Sequence, residues 1–422
     1  MKLSALPLPI LLVLAGACSH GDVTTAPAPA TTAAAAQTPA AAPARAEAEP
    51  EAPVPPEKFA DGERTFRTVK DTLLASYYAD GLTEDDLYRA ATEGMLSRLD
   101  PKMQKWNKLL SPSDLAEMEA DLKGEVVGVG FKIHFDPTTG YTDVLGIVPG
   151  SPAEREKLQA GDKVLSVDGK LYKGKQIHDI VRDIRGKAGD SVTLTMLRDD
   201  KVFTVTLKRE IVPLDVASGA MLPNSVGYVR IQTFQSRTPA VLKDVLGTLS
   251  GAHAMIVDLR GNGGGLFDEA VTSAGYFLKP GTPVVKIDKR GHESETMTAK
   301  GERLVGDMPV VVLVNGDTSS GAEFVAAALQ EGRGAQIVGS RTFGKWSVQK
   351  LDKLSNGYAI KYTTSLFSSP SGRSFAGQGM VPDVEVAVDE KTFDKMWAHS
   401  DPVKRLTDDP QLRTAMGLVR GR

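Results

Sequence analysis

The segment VVVLVNGDTSSGAEFVAAALQ, residues 310–330, decides the fold class of this chain. Its aliphatic start predicts a β-strand over residues 310–315, because a short apolar run that stops at turn residues is typical of a strand. The alanine-rich end predicts a helix over residues 322–330. A strand followed at once by a turn and a helix is the repeating unit of an α/β domain.

The same alternation continues on both sides of this segment. Strands are predicted at residues 226–234, 254–259 and 336–339, and a further helix is predicted at residues 266–278. We therefore expect an α/β core over residues 211–390, in which the loops between strands and helices carry the chemistry.

A helical region is predicted before the core, over residues 58–123. Apolar residues recur at spacings of three and four over residues 66–77 and 87–99, which indicates two amphipathic helices. A third helix is expected over residues 112–123.

A β-rich domain is predicted between these regions, over residues 124–210. It combines short strand patterns and hairpin turns with one helix. The apolar face of that helix is formed by Ile177, Ile180, Val181 and Ile184. Residues 391–422 are a C-terminal extension to which the sequence assigns no role.

The only cysteine of the chain, Cys18, ends a segment that is typical of a secretory signal. A basic start, an apolar stretch and the small residues Ala15, Gly16 and Ala17 precede it. The apolar run is shorter than the ~20 residues that span a bilayer, so a transmembrane anchor is a poor alternative. The arrangement resembles a bacterial lipobox, which implies cleavage before Cys18 and lipidation of its thiol.

Residues 1–18 are thus predicted to be a lipoprotein signal. Residues 19–57, rich in alanine and proline, are predicted to be a tether, because they cannot bury a core. By the same resemblance, Ser19 implies an outer-membrane location that faces the periplasm. Ordinary secretion with an unused cysteine stays open as an alternative.

Composition excludes several function classes. Hydrophobic residues make up 41% and charged residues 24% of the 422 residues, which is typical of a globular protein. Lysine and arginine total 50 against 53 aspartates and glutamates, and the net charge of -3 offers no strong field for nucleic acid. A single cysteine allows neither an intramolecular disulfide nor a Cys/His metal cluster. We expect no cofactor.

The sequence RGNGGG, residues 260–265, lies between a predicted strand and a predicted helix, where free N–H groups and the helix dipole suit an anion. A dinucleotide-binding loop is one interpretation, with Asp288 as the ribose-binding acid. The match fails because Leu266 stands where the third glycine is required, and no Lys-Ser or Lys-Thr pair follows. The other use of such N–H groups is an oxyanion hole for acyl transfer.

Two serines, Ser319 and Ser320, follow the strand of residues 310–315 and are candidate nucleophiles, although serine is also favoured as a helix N-cap. A catalytic serine requires a base, and none of the six histidines lies near these serines in sequence. Histidine stays open, because triad partners meet in space. The local alternative is Lys345, which a strand pattern predicts on the same face as Gln349.

A lysine can act as a base only when its amine is neutral. Its pKa must then fall from about 10.4 toward 7 or 8, which burial can achieve. Phe343 and Trp346 are the neighbours expected to shield Lys345 from water.

Taken together, these motifs resemble those of the C-terminal processing peptidases, a family of periplasmic or secreted serine proteases with a PDZ domain and a Ser-Lys dyad. The resemblance covers residues 60–390. The segments that carry it are ATEGMLSRLDP from Ala91, GVGF from Gly128, VDGK from Val167, VDLRGNGGG from Val257, VLVNGDTSSGAE from Val312, GSRTFGKWSVQ from Gly339, SPSGRSF from Ser369 and GQGMVPDVEV from Gly377.

The resemblance implies that Ser320 is the nucleophile, that Lys345 is the general base and that Gln349 orients the lysine. Two departures from the family pattern matter. The segment TSSG stands where Ser-Ala-Ser-Ala is more usual, which leaves Ser319 as a second candidate nucleophile. Trp346 replaces a usual glycine, and it could narrow the cleft or change the surroundings of the lysine.

Backbone groups also receive roles from the resemblance. It implies an oxyanion hole formed by the N–H groups of Gly321 and of either Gly264 or Gly265. In the PDZ domain it implies a loop that binds the carboxylate of a peptide C-terminus. That loop consists of Gly128, Val129, Gly130 and Phe131.

We therefore predict a multidomain α/β protein with an N-terminal helical region, a PDZ domain and an α/β protease core. The predicted activity is that of a serine endopeptidase that recognises protein C-termini and cleaves unfolded or tail-bearing proteins in the cell envelope. Its expected partners are peptides with free C-termini, the membrane through Cys18, and an adaptor lipoprotein. A catalytically silent PDZ lipoprotein is the alternative, and a Rossmann-like oxidoreductase is a third hypothesis. Substrates and oligomeric state stay open.

Overall fold

The structure is a computed structural model of the chain. It describes residues 61–99, 106–136, 139–175, 177–213, 215–389, 392, 396 and 401–420. The predicted signal, Cys18 and the tether lie outside the described residues. No helix within these ranges is long and apolar enough to cross a membrane. Of the described residues, 61–92 form one compact unit, and those from 93 onward form another.

The described chain begins with two helices, α1 (Gly62–Ser76) and α2 (Glu84–Ser97), as the apolar spacing predicts. An ion pair between Lys70 and Glu84 joins them. The rings of Phe66 and Tyr88 lie 6.3 Å apart, so the two helices also share an apolar contact.

A short strand and a third helix follow: β1 (Lys108–Leu110) and α3 (Pro112–Lys123). The predicted third helix is thereby confirmed. Ser111 caps α3, because its side chain accepts a hydrogen bond from the N–H of Asp114. Both elements lie in the second compact unit, together with the β-rich domain and the α/β core.

The β-rich domain combines eight strands with two short helices. They are β2 (Glu125–Gly128), β3 (Phe131–Asp136), β4 (Tyr141–Ile147), α4 (Pro152–Arg155), β5 (Lys163–Val167), β6 (Lys170–Leu171), α5 (Ile177–Ile184), β7 (Ser191–Arg198), β8 (Lys201–Lys208) and β9 (Glu210–Pro213). The sheet has the order β3, β4, β5, β7, β8, with β6 beside β5, while β2 pairs with β9. Strand β3 is therefore an edge strand among the described residues. The predicted face of α5 is confirmed for Ile180 and Ile184, which are buried in the core of this domain.

The α/β core contains two sheets. Its elements are β10 (Ala217–Leu222), β11 (Val226–Ile231), α6 (Thr238–Thr248), β12 (Ala254–Asp258), α7 (Phe267–Gly275), β13 (Pro283–Lys289), β14 (Glu295–Thr298), β15 (Val310–Val314), α8 (Gly321–Arg333), β16 (Gln336–Gly339), β17 (Ser347–Lys353), β18 (Ala359–Ser368) and β19 (Val384–Glu385). The central sheet has the order β10, β11, β12, β15, β16, β19 and is parallel from β11 onward. Every residue of β12 and β15 is buried, and their carboxyl ends lie side by side. The glycine loop (residues 260–265) and the serine turn (residues 315–320) therefore meet at one edge of the sheet.

The second sheet has the order β1, β18, β13, β14, and β17 also pairs with β18. Lys108 of β1 lies opposite Lys361 of β18, which brings the segment before α3 next to the α/β core. Strand β17 continues from the segment that contains Lys345. This sheet therefore delivers the candidate base to the edge where the serine turn lies.

Two C-terminal helices, α9 (Pro402–Arg405) and α10 (Pro410–Arg420), pack on the central sheet. Arg260, at the start of the glycine loop, is buried and bonds to Asp258, Asp409 and Gln411. Burying an unpaired guanidinium would cost several kcal/mol, on the order of 3–5. The carboxylates of Asp258 and Asp409 compensate the buried charge of Arg260. The C-terminal extension thus supports the base of the glycine loop.

Candidate active site

The serine turn connects β15 to α8. Ser320 has φ 56° and ψ −120°, a backbone conformation that a non-glycine residue adopts only under strain. It lines a cavity, whereas the neighbouring Ser319 is only 4% exposed and donates its hydroxyl to the carbonyl oxygen of Gly263 at 2.9 Å. The geometry thus favours Ser320 over Ser319 as the candidate nucleophile.

The buried carboxylate of Glu323 connects the backbone of the serine turn to the segment that contains Lys345. Its Oε2 accepts hydrogen bonds from the N–H groups of Ser320 at 2.9 Å and of Lys345 at 2.8 Å. Its Oε1 accepts from the hydroxyl of Thr342 at 2.6 Å and from the N–H of Gly344 at 2.8 Å. Burial raises the pKa of Glu323, and these hydrogen bonds oppose the rise. The sequence analysis did not assign a role to Glu323, although its place three residues after Ser320 is the spacing of a capping box.

The amine of Lys345 lies in the same cavity as Ser320. Its Nζ is 4.3 Å from the centre of the Trp106 ring, a cation–π distance. Trp106 is buried and was not singled out from the sequence. The signal that could have found it is a lone aromatic residue in the polar run KMQKWNK.

The predicted common face of Lys345 and Gln349 is disturbed in two ways. Lys345 precedes β17, which begins at Ser347, and the pairing of β17 with β18 shifts register between Val348 and Gln349. A register shift of this kind rotates the side chains that follow it, which the simple alternation of a strand does not anticipate. Both Lys345 and Gln349 nevertheless line the cavity.

The amide of Gln349 is held in place from one side. Its Nε2 donates to Thr363 Oγ1 at 2.9 Å and to Ser347 Oγ at 3.2 Å. Its Oε1 is buried and has no hydrogen-bond partner among the described residues. The Oε1 atom of Gln349 is therefore an available hydrogen-bond acceptor near the segment that contains Lys345.

Trp346 does not lie in the cleft. Its side chain is fully buried in the core, with its ring 5.0 Å from Phe367 and 5.1 Å from Phe375. The hypotheses that Trp346 narrows the cleft or shields the lysine are therefore wrong. The ring of Trp346 packs against the core, whereas the side chain of Lys345 lines the cavity.

The cavity has a volume of about 290 Å³ and lies between α3, the end of α5 and the α/β core. Its apolar lining includes Met118, Leu122, Phe267, Val348 and Leu351. Its charged lining includes Asp121, Arg185, Lys345 and Lys361. Burial raises the pKa of Asp121 to about 6, although Arg185 opposes the rise. Burial, with repulsion by Lys345 and Lys108, lowers the pKa of Lys361 to about 8.

The glycine loop approaches the candidate nucleophile closely. Gly264 has φ +96°, and a Cβ at this position would lie 2.8 Å from the Cβ of Ser320, so only glycine fits. The N–H of Gly264 donates to Asn262 Oδ1 at 2.8 Å. The N–H groups of Gly265 and Gly321, by contrast, have no acceptor within the described ranges.

The dinucleotide interpretation finds no geometric support. Asp288 lies on β13, in the second sheet, rather than beside the glycine loop at the edge of the parallel sheet. Its carboxylate accepts a hydrogen bond from Ser294. The acid needed to bind a ribose is therefore not at the loop.

The GVGF loop of the β-rich domain joins β2 to the edge strand β3. Val129 and Phe131 are buried, and Gly130 has φ +85°. Within the part of the chain that the structure describes, the N–H groups of Val129 and Gly130 donate to no acceptor. The loop therefore offers unoccupied donors beside a free strand edge.

Comparison with known proteins agrees with this geometry. The model of peptidase family S41 matches residues 225–386, and a PDZ-domain model matches residues 144–198. A "Probable CtpA-like serine protease" from Staphylococcus aureus (strain bovine RF122 / ET3-1) is 31% identical over 347 residues, which are 81% of this chain and 68% of that protein. The chain belongs to peptidase family S41.

A second relative leads to the same conclusion for this S41 peptidase. The "Carboxy-terminal processing protease CtpA" of Bacillus subtilis is 30% identical over 315 residues, which cover 74% of this chain and 66% of that protein. The predicted membership of the C-terminal processing peptidases is confirmed, and the chain is a CtpA-like serine protease with a PDZ domain.

The solved structures that are similar to this S41 peptidase include a candidate S41 protease from Bacteroides fragilis. It has a TM-score of 0.54 and 16% sequence identity, and the match covers 84% of this chain and 97% of that chain. This likeness concerns the fold. The predicted fold class, a mixed α/β protein with a PDZ domain and a protease core, is confirmed.

Proposed function

We propose that this S41 peptidase is an endopeptidase with Ser320 as nucleophile and Lys345 as general base. The observation that carries the proposal is the single carboxylate of Glu323, which accepts hydrogen bonds from the backbone N–H groups of both residues. Side chains whose backbones share one buried anchor keep a constant separation, as a nucleophile and its base require.

The proposed reaction proceeds by acyl transfer. Ser320 Oγ attacks the carbonyl carbon of the scissile peptide bond while Lys345 Nζ accepts the hydroxyl proton. The carbonyl oxygen becomes an oxyanion, for which the N–H groups of Gly321 and Gly265 are the proposed donors. The C–N bond then breaks, Lys345 gives its proton to the leaving amine, and water hydrolyses the acyl-enzyme.

Two hydrogen-bonding features support the roles proposed for Gly265 and Gln349. Gly265 is preferred over Gly264 because the N–H of Gly264 already donates to Asn262. For Gln349 we propose that its free Oε1 accepts a hydrogen bond from Lys345 and orients the amine. The neutral amine then points a lone pair at the hydroxyl of Ser320.

The PDZ domain is proposed to recognise substrate C-termini. The free N–H groups of Val129 and Gly130 would bind the terminal carboxylate, and the peptide would add a strand to the edge of β3. Substrates with accessible, unfolded tails fit this mode, because a peptide must be extended to add a strand to a sheet edge.

The test is turnover of an unfolded protein substrate by the purified full chain, with cleavage products identified by mass spectrometry. We expect internal cleavage, and none with Ser320→Ala. A twin substrate amidated at its C-terminus should be bound roughly tenfold more weakly, because it loses charge-assisted hydrogen bonds worth about 1.5–3 kcal/mol.

Binding of the free C-terminus without turnover would contradict the endopeptidase assignment and favour the silent adaptor. Cleavage of the free and amidated substrates at equal rates would contradict C-terminal recognition and leave the endopeptidase assignment standing. The two halves of the proposal therefore fail separately.

We also propose that the protein is lipid-anchored at Cys18 and faces the periplasm. The small residues before Cys18 and the alanine- and proline-rich segment after it support this proposal. Cys18→Ala should leave the protein unprocessed or move it from the membrane fraction to the soluble fraction. Normal maturation with unchanged membrane association in this variant would contradict lipidation.

A further inference from the structure

A second lysine, Lys361, lines the same cavity as Ser320 and Lys345. Its side chain projects from β18, and the residue is only 3% exposed. Buried lysines are rare unless an acid pairs with them. The charged groups that act most strongly on Lys361 are Lys345 and Lys108, and both are positive.

The cations that face Lys361 come from two elements. Lys108 lies opposite it on β1, and Lys345 approaches from the segment before β17. The remaining charged groups that line the cavity are Asp121 from α3, Arg185 after α5, and Lys350 from β17. Asp121 lies 3.8 Å from Arg185, which also pairs with Glu117 at 2.8 Å, and Lys350 pairs with Asp352 at 2.8 Å.

We propose that Lys361 is a positioning residue for the Lys345 base: its positive charge in the shared cavity favours the neutral form of the Lys345 amine. This inference rests on the proposed Ser-Lys mechanism. The Trp106 ring attracts a cation at Lys345 Nζ and so favours the protonated, inactive form. A second cation in the cavity acts in the opposite direction.

The two lysines titrate as a coupled pair. Repulsion lowers the pH at which the pair loses its first proton, and the proposal requires that this proton comes from Lys345 while Lys361 stays charged. Removal of the charge on Lys361 leaves Lys345 without this repulsion. The amine then holds its proton up to a higher pH.

The test is the pH dependence of kcat/KM for the full chain, normalised by titration of active sites. Lys361→Met keeps the side-chain volume and removes the charge. The rising limb of the pH profile of kcat/KM should therefore move to higher pH by about one unit. Lys361→Arg keeps a permanent charge, and its limb should lie at or below the wild-type pH. Lys353→Met is the matched control: it removes a lysine charge from the neighbouring β17, where Lys353 pairs with Glu119, and it should leave the limb in place.

Lys361→Gln provides a second neutral variant should the methionine variant fail to fold. A limb that stays in place in the neutral variants would overturn the inference, as would complete loss of turnover at every pH in folded neutral variants. A wild-type protein without turnover would instead refute the proposed function itself. The two failures are therefore distinguishable.

Discussion

Replacement of Lys345 by arginine should reduce turnover by about 10³-fold or more, nearly as far as Ser320→Ala. Arginine keeps the positive charge and can still lie over the Trp106 ring, but its guanidinium stays protonated and cannot accept the hydroxyl proton of Ser320. If charge alone mattered, the variant would remain active. The measurement is the rate of cleavage of an unfolded substrate across a range of pH.

The matched control is Lys353→Arg, the same change at an ion-paired lysine on β17. It should retain wild-type turnover. Equal thermal midpoints for the two variants would show that both are folded. A Lys345→Arg protein that keeps about a tenth or more of wild-type turnover would remove Lys345 from the role of base.

Replacement of Glu323 by alanine should have the largest effect on stability and should also abolish turnover. The change leaves four donors without an acceptor: the buried N–H of Gly344 and hydroxyl of Thr342, and the partly buried N–H groups of Ser320 and Lys345. At about 1–3 kcal/mol for each unsatisfied donor, the free energy of unfolding should fall by about 4 kcal/mol or more. Turnover should be lost even well below the unfolding midpoint, because the strained backbone of Ser320 loses its restraint.

Two variants separate the role of Glu323 from general packing. Glu323→Gln keeps the volume but places an amide NH₂ against backbone donors, so it should lose turnover with a smaller loss of stability. Glu331→Ala, on the same helix, removes a carboxylate that Ser371 and Arg373 contact where water can replace it. It should keep turnover. Wild-type turnover in Glu323→Ala would refute the positioning of both residues by one carboxylate.

The sequence by itself predicted the helices α1, α2, α3, α5, α7 and α8 and the strands β11, β12, β15 and β16, but not α6 or β18. These elements lie where the side-chain pattern predicts them, because side-chain periodicity is a local property of the chain. Strand ends and helix ends shifted by a few residues. The motifs also predicted the peptidase family and the PDZ domain, since motif spacing survives where overall identity is low.

Only the tertiary structure decided which side chains meet. Ser319 and Ser320 are both candidate nucleophiles in the sequence. In the structure, the hydroxyl of Ser319 donates a hydrogen bond to the carbonyl oxygen of Gly263 in another loop. Trp346 was expected in the cleft because it is next to Lys345, yet its ring packs in the core against Phe367. Neighbours in extended backbone face opposite ways, and which of them faces the core depends on the sheet they join.

The sequence likewise did not predict the contacts between segments that lie far apart in the chain. Trp106 reaches Lys345 because β1 pairs with β18, and Lys361 enters the cavity through the same pairing. Asp409, in an extension without a predicted role, bonds to Arg260 at the start of the glycine loop. Local patterns carry no information about such partners, because strand pairing and the burial of charge are settled by the free energy of the whole fold rather than by neighbouring residues.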